Sequence, residues 1–371
     1  MVESQVIYEK RIALFIPNLH GGGAERATVN LLRAMSETGV PVDLVLASAE
    51  GEYLEQVPQQ VRVVNLAVGR VIKSILPLAN YLRKEKPFAL ISQMNHANVG
   101  AVVARELARV ESLLVLVEQN TPSVEKSKLF RGRLVPPLMK LLYPSADVIV
   151  GVSTGVAQDL KTQFGIDQSK VKVIYNPVVD NKLFAQAKAP LYHPWFQEDS
   201  PPVFLAVGRL TEQKDFINLI KAFEVLRRQK IARLLILGEG DARNELEATI
   251  TSLKLSEDVS LPGFVENPYA YMSRASAFVL SSRWEGLPTV LIEAMACGCP
   301  VIATDCPSGP REILAAGVYG SLIPVGDVKA LSTAMLQVLE TPVDRNLLLK
   351  RAMDFASERL LFQYLEILGY K

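Results

Sequence analysis

The feature that most limits how this chain can fold is an alternation carried from one end to the other. Short apolar runs are each followed by a stretch whose apolar residues recur at helical spacing. One series of runs is Ile12–Ile16, Val42–Leu46, Phe88–Ile91, Leu113–Val117 and Val148–Val152; a second is Val203–Val207, Leu234–Leu237, Ala277–Leu280 and Val301–Ala303. Runs without polar alternation, bounded by turn residues and separated by helices, imply parallel sheets covered on both faces. The expected class is therefore α/β. A chain of 371 residues exceeds the comfortable size of one core, and a hydrophobic content of 49% can fill two.

The two series open alike. Ile12–Ile16 runs through Pro17 into Gly21-Gly22-Gly23 and a helix with Ala24, Ala27, Leu31 and Met35 on one stripe, with Gly39 after its end. Val203–Val207 runs into Gly208-Arg209 and a helix through Ile217, Ile220 and Phe223. The expectation is two doubly wound domains, 1–177 and 178–354, divided at the turn Tyr175-Asn176-Pro177, with a final helix over 355–371 returning to the first. Ligands of open α/β sheets sit beyond the carboxyl ends of the strands, so two facing domains predict a site in the cleft between them.

The stretch WEGLPTVLIEAMACGCPV, from Trp284 to Val301, places Glu285 in a loop and Glu293 about a turn inside the helix that Pro288 opens. Open amides at such a helix start bind anions, aided by roughly half a positive charge from the dipole. Gly286 lets the backbone approach closely. An acid just before that end would repel a bare phosphate unless it faces something else, and sugar hydroxyls are good donors to carboxylates. The segment thus suits a ligand with a phosphate in the middle and a polyol at either end. The plainer alternative makes Glu285 a helix cap and Glu293 a solvated residue. Arg209 and Lys214, in VGRLTEQKDF, flank the turn after a strand, where cations reach a ligand at the sheet edge. HGGGAER can cradle phosphate through its amides, but Arg26 stands where a dinucleotide fingerprint needs glycine.

The ordered set GGGAER, NPV, VGRLTEQKDF, LILGEGDARNELE, LPGFVENPYAYM, SRWEGLPTVLIEAMACGCPVIATDCPSGPREIL and IPVGD resembles family 4 of the retaining glycosyltransferases, which have the GT-B fold of two Rossmann-like domains. The resemblance spans nearly the whole chain and is strongest from about 203 to 327. It implies transfer from a nucleotide-sugar, expected to be a UDP-sugar, to a saccharide or lipid-linked saccharide. By the resemblance, Arg209 and Lys214, after Gly208, hold the nucleotide diphosphate, and Glu285 faces the donor sugar. Gly286, Leu287, Pro288, Thr289 and Val290 lay amides over the phosphate, and Glu293 meets the ribose hydroxyls. Phe264 and Val265 flank the base, and Gly22 and Gly23 match the loop that closes near the diphosphate. The family needs no metal, and this sequence has no Asp-x-Asp. No cofactor is expected, and the cations and the helix dipole must stabilise the leaving diphosphate.

Many relatives carry a histidine in the loop after a first-domain strand. Here that loop reads Glu118-Gln119-Asn120-Thr121-Pro122, similar to a subgroup with Glu-Arg-Asn that includes N-acetylhexosamine transferases extending lipid-linked oligosaccharides. Glu118 and Asn120 are acceptor-side candidates, and His96 in SQMNHANVG is the nearest histidine for the cleft. Residues 126–143 interleave Lys126, Lys128, Arg131, Arg133 and Lys140 with Leu129, Phe130, Leu134, Leu138, Met139 and Leu142. That mixture suits an anionic bilayer surface, in two pieces because Pro136-Pro137 interrupts a helix; the alternative is a solvated helix packed on the domain.

Other classes are constrained by composition. A net charge of +1 with no basic block argues against a nucleic-acid partner. Cys297, Cys299 and Cys306 lack a fourth partner and the paired spacing of a zinc site, so they read as buried reduced thiols of a cytosolic chain. The charged start is no secretory signal, and no run approaches the roughly 20 apolar residues that span a bilayer. The expected location is cytoplasmic or peripheral on the inner face of the plasma membrane. A sugar-nucleotide epimerase and a non-catalytic nucleotide-sugar-binding subunit remain as alternatives. A dehydrogenase is the weakest reading, because no acid stands at the end of the second strand for an adenosine ribose.

Overall fold

The computed structural model describes residues 10–123 and 135–370. The chain forms two compact units, one of residues up to Val178 together with those from Ser357 on, the other Val179–Ala356.

The strands of the first unit are β1 (Ile12–Ile16), β2 (Val42–Leu46), β3 (Arg62–Asn65), β4 (Ala89–Gln93), β5 (Leu113–Glu118), β6 (Val148–Gly151) and β7 (Val171–Val173). They form one parallel sheet in the order β3-β2-β1-β4-β5-β6-β7. Its helices are α1 (Gly23–Glu37), α2 (Ile75–Glu85), α3 (Asn95–Ala108), α4 (Val135–Leu142) and α5 (Thr154–Phe164). Every residue of β1 and β2 is buried, as a strand covered on both faces must be. Past the end of α1, Gly39 takes φ +79° and turns the chain into β2, the left-handed stop that glycine adopts without strain. β1 leads outward through α1 to β2, whereas its neighbour β4 leads the other way through α3 to β5. The chain therefore diverges at the carboxyl ends of β1 and β4, where open α/β sheets form a crevice.

Near the opposite end of this sheet, the fully buried Asp43 of β2 accepts from Arg11 at 2.7 Å, Arg62 Nε at 3.0 Å and the Tyr81 hydroxyl at 2.6 Å. Burial alone would raise its pKa, but the bonds from Arg62, Tyr81 and Arg11 outweigh that and hold it below the ordinary value.

The second unit holds β8 (Val203–Val207), β9 (Arg233–Leu237), β10 (Val259–Gly263), β11 (Ala277–Leu280), β12 (Val301–Thr304) and β13 (Ser321–Ile323), all parallel in the order β10-β9-β8-β11-β12-β13. Its helices are α6 (Asn181–Ala187), α7 (Phe216–Arg227), α8 (Arg243–Ser252), α9 (Tyr269–Met272), α10 (Thr289–Ala296), α11 (Pro310–Ile313), α12 (Val328–Glu340) and α13 (Arg345–Ala352). Phe204, Leu234, Ile236, Val279 and Ile302 from the strands pack with Ile220, Phe223, Leu331 and Met335 from the helices into one core. The last helix, α14 (Ser357–Ile367), lies against α1 in the first unit.

The nine apolar runs read from the sequence all fall on strands, with only Phe88 and Val152 one residue outside theirs. Four strands have no such run: β3, β7, β10 and β13. They are the two outer strands of each sheet. An outer strand has one open edge, so its residues stay partly in water and a charged residue or a proline, which has no N–H to donate, can interrupt it, as Lys172 does in β7 and Pro262 in β10. Pro288 also differs from expectation: it is the extended residue just before α10, with ψ 92°, and Thr289 is the first helical residue. Among the described residues no helix is long and apolar enough to cross a membrane.

Candidate active site

In the second sheet the chain diverges between the neighbours β8 and β11. The loop 208–215 leaves one and the loop 281–288 leaves the other, and side chains stitch them together. Lys214 Nζ donates to Glu285 Oε1 at 2.6 Å, and the Ser282 hydroxyl donates to the same oxygen at 2.6 Å. Ser281 Oγ donates to the Lys214 carbonyl at 2.7 Å, Gln213 Nε2 to the Trp284 carbonyl at 2.9 Å, and Arg283 Nε to Asp215 Oδ2 at 2.9 Å. The Lys214 and Glu285 side chains are only 15% and 7% exposed. Solvent screens such a pair little, so each charge depends on the other.

This pairing resolves the difficulty of an acid beside an anion site. The ammonium that neutralises Glu285 has two further N–H donors. No described residue accepts from the amides of Gly286, Leu287, Thr289 and Val290, which leaves the start of α10 open as a donor set. Gly309, at φ +87°, backs this segment so closely that a Cβ there would lie 2.4 Å from Pro288 Cδ. Glu293 is buried inside α10, 1% exposed. Arg209 is exposed and its guanidinium has no partner among the described residues. Gly208 is half-buried, and the loop after β9 meets it: a Cβ on Gly238, at φ +139°, would fall 2.0 Å from the Gly208 carbonyl oxygen. Beyond β10, Phe264 is 52% exposed and Val265 half-buried.

All three cysteines are free, and burial holds their thiols protonated, Cys299 and Cys306 being pushed up to about 12. Among the described residues no three His, Cys, Asp or Glu side chains gather as a metal site.

The first unit places its candidates at and beside its own point of divergence. Gly22 is the residue before α1, and Gly23 opens that helix. Arg26, one turn on, donates to the Tyr53 hydroxyl at 3.0 and 2.7 Å. His96 is exposed on the first turn of α3, with Nδ1 3.2 Å from Asn95 Oδ1. Asn120 is half-buried. Glu118 is 1% exposed and accepts from Asn98 Nδ2 at 2.8 Å and from the Tyr143 hydroxyl. Burial and the carboxylate push the Tyr143 phenol well above its usual pKa, so it stays a donor. Of residues 126–143, those from 126 to 134 lie outside the described residues. In α4, Leu141 is 73% and Leu138 38% exposed, while Met139 is buried.

Residues 21–182 match the model of Glycosyltransferase Family 4, and residues 193–355 that of Glycosyl transferases group 1. A curated relative from Campylobacter jejuni is N-acetylgalactosamine-N,N'-diacetylbacillosaminyl-diphospho-undecaprenol 4-alpha-N-acetylgalactosaminyltransferase, 31% identical over 94% of each chain. The chain belongs to glycosyltransferase family 4. A second Campylobacter jejuni relative of this glycosyltransferase extends a GalNAc-GalNAc-diNAcBac-PP-undecaprenol and is 26% identical over 97% of this chain and 98% of its own. Among solved structures, the Anabaena protein HepE in complex with UDP superposes with a TM-score of 0.77 at 21% identity, over 98% of this chain and all of that one. These neighbours share the GT-B fold with the transferase.

Residues that hold the site in shape were not singled out from the sequence. Ser282, Gln213, Asp215, Arg283 and Gly309 are ordinary loop residues until the fold brings the loops after β8, β11 and β12 together. The one available signal was the clustering of polar residues around both glycine turns.

Proposed function

We propose that this glycosyltransferase moves a sugar from a UDP-sugar to a saccharide carried on a lipid diphosphate, with retention at the anomeric carbon and without a metal. The observation that carries the reading is the Lys214–Glu285–Ser282 cluster beside the open amides of α10. Arg209, Lys214 and those amides would take the diphosphate and stabilise its charge as the glycosidic bond breaks, an electrostatic task for pre-organised donors. Glu285, aimed by Lys214 and Ser282, would accept from hydroxyls of the donor sugar. Glu293 would meet the ribose, and Phe264 with Val265 would flank the base.

The UDP-bound neighbour and the two relatives named for undecaprenol-linked acceptors support the choice of donor and acceptor. They favour transfer over epimerisation, which needs no acceptor. The exposed Leu138 and Leu141 support a peripheral contact of 126–143 with an anionic membrane surface. The test is a panel of UDP-, GDP- and ADP-sugars read by thermal shift and by nucleotide release. A ligand stabilises by RT ln(1 + [L]/Kd), so the UDP-sugars should raise Tm and release UDP when a lipid-linked saccharide is added. A shift confined to GDP- or ADP-sugars would overturn the donor assignment.

A further inference from the structure

Three side-chain amides meet at the carboxyl edge of the first sheet. Gln93 closes β4, Gln119 follows β5, and Asn176 lies three residues beyond β7. Gln119 Nε2 donates to Gln93 Oε1 at 2.6 Å and to Asn176 Oδ1 at 3.3 Å, and Asn176 Nδ2 donates to Gln119 Oε1 at 2.8 Å. Gln93 and Asn176 are only 2% and 4% exposed, whereas Gln119 is half-buried. The register accounts for the meeting. Gln93 pairs with Val117, and Gln119, two residues on, falls on the same face. Locking a long, partly solvated amide sacrifices rotamer freedom, and neutral hydrogen bonds return little net free energy. Stability alone is therefore a poor reason for the chain of amides.

The residue after Gln93 supplies a second observation. Met94 has φ +76° and ψ 139°, a conformation that residues with a Cβ avoid. Its amide donates to the Val117 carbonyl at 3.2 Å, and its carbonyl accepts from the Asn98 amide at 2.8 Å. This strained turn opens α3 and sets the position of His96. Strain of this kind persists where the surroundings over-determine the backbone, and it concentrates at working sites.

We propose that Gln119 is a positioning residue of the acceptor subsite. The amide chain holds the strained turn that carries His96 and the loop that carries Asn120. Those side chains face the hydroxyl and N-acetyl groups of an uncharged acceptor sugar. The proposal rests on the transferase reading above and adds the acceptor class to it.

The test compares the wild type with Gln119→Ala and Gln119→Glu in two assays: UDP release from a UDP-sugar without acceptor, and transfer to an N-acetylhexosamine saccharide on a short lipid diphosphate. Gln119→Ala should raise the acceptor KM about tenfold, the effect of losing its three neutral hydrogen bonds, one of them long, and leave acceptor-free UDP release within about twofold. Gln119→Glu should show the same defect at pH 8. Its acceptor KM should recover as the pH is lowered and the protonated carboxyl regains an O–H donor, a trend the wild type lacks. Acceptor KM values near wild type in both variants would overturn the proposal, as would a proportional loss of acceptor-free release. A wild type that releases UDP from no UDP-sugar would sink the transferase reading itself, and the proposal with it.

Discussion

Replacing Lys214 by methionine keeps an unbranched side chain, one atom shorter, and removes its charge. It leaves Glu285 as a carboxylate 5% exposed, bonded to Ser282 but without the Lys214 ammonium. Breaking one partner of a buried pair costs about 3–5 kcal/mol. With the side chains 15% and 7% exposed, little of that is relieved by water, and about 3 kcal/mol is a fair figure for the second unit. For a unit of this size each kcal/mol lowers Tm by roughly 2–4 °C. In turnover, loss of one pre-organised charge contact to the leaving diphosphate should cost on the order of 100- to 1000-fold. The Glu285 charge, no longer offset by the Lys214 ammonium, adds repulsion to that loss. Adding Glu285→Gln to Lys214→Met should therefore recover part of the Tm, and the two losses of kcat/KM should fall well short of additive, as for groups in contact. The assay is UDP release over a range of UDP-sugar concentrations, beside a melting curve for each variant. Additive losses within about 0.5 kcal/mol, or full rescue of Lys214→Met by magnesium or manganese, would refute the reasoning.

Glu293→Ala should raise the donor KM with kcat little changed, since the ribose does not react, whereas Glu285→Ala should lower kcat, because the donor sugar changes charge during transfer. Equal losses of kcat at constant KM in both would contradict this division. Asp43→Ala should destabilise by about 2–3 kcal/mol, the lower figure reflecting arginine partners that can return to water. The sign with pH follows from a folded pKa held below 3.8: the contribution of Asp43 is full above about pH 4 and is lost as the pH falls through the folded value. Urea melts should thus show an acid loss in the wild type that the variant lacks. If 126–143 meets lipid, the protein should co-sediment with anionic liposomes and release as salt rises. Replacing Lys126, Lys128, Arg131 and Arg133 by glutamine should then abolish co-sedimentation, since each basic residue contributes about 1 kcal/mol; equal binding by the variant would contradict the contact.

The central strands were legible because burial on both faces writes an uninterrupted apolar run, as in Ile12–Ile16 and Val203–Val207. The outer strands were not. Arg62–Asn65 carries a charge and an amide, and Val259–Gly263 carries a proline, since half of each strand meets water. In the site, residues placed by local rules were visible: a cation after a strand, an acid before a helix, glycines at turns. Partnerships were not. Lys214 and Glu285 lie 71 residues apart, and Gln119 and Asn176 57 apart, so neither pairing has a local signature. Glu118 reads as a free acid in a functional loop, yet strand pairing turns it inward onto Asn98 and Tyr143. The positive φ of Met94 has no local sequence signal, and its amide is bonded to Val117, a residue of another strand.

The most direct test of the central claim is the anomeric configuration of the product. The reaction would contain an α-linked UDP-sugar, a saccharide on a short lipid diphosphate, and EDTA, and proton NMR of the new linkage would be recorded. Retention through a metal-free site predicts an α-linkage that forms at the same rate with and without EDTA. A β-linkage, or a reaction that stops until a divalent metal is restored, would contradict the account.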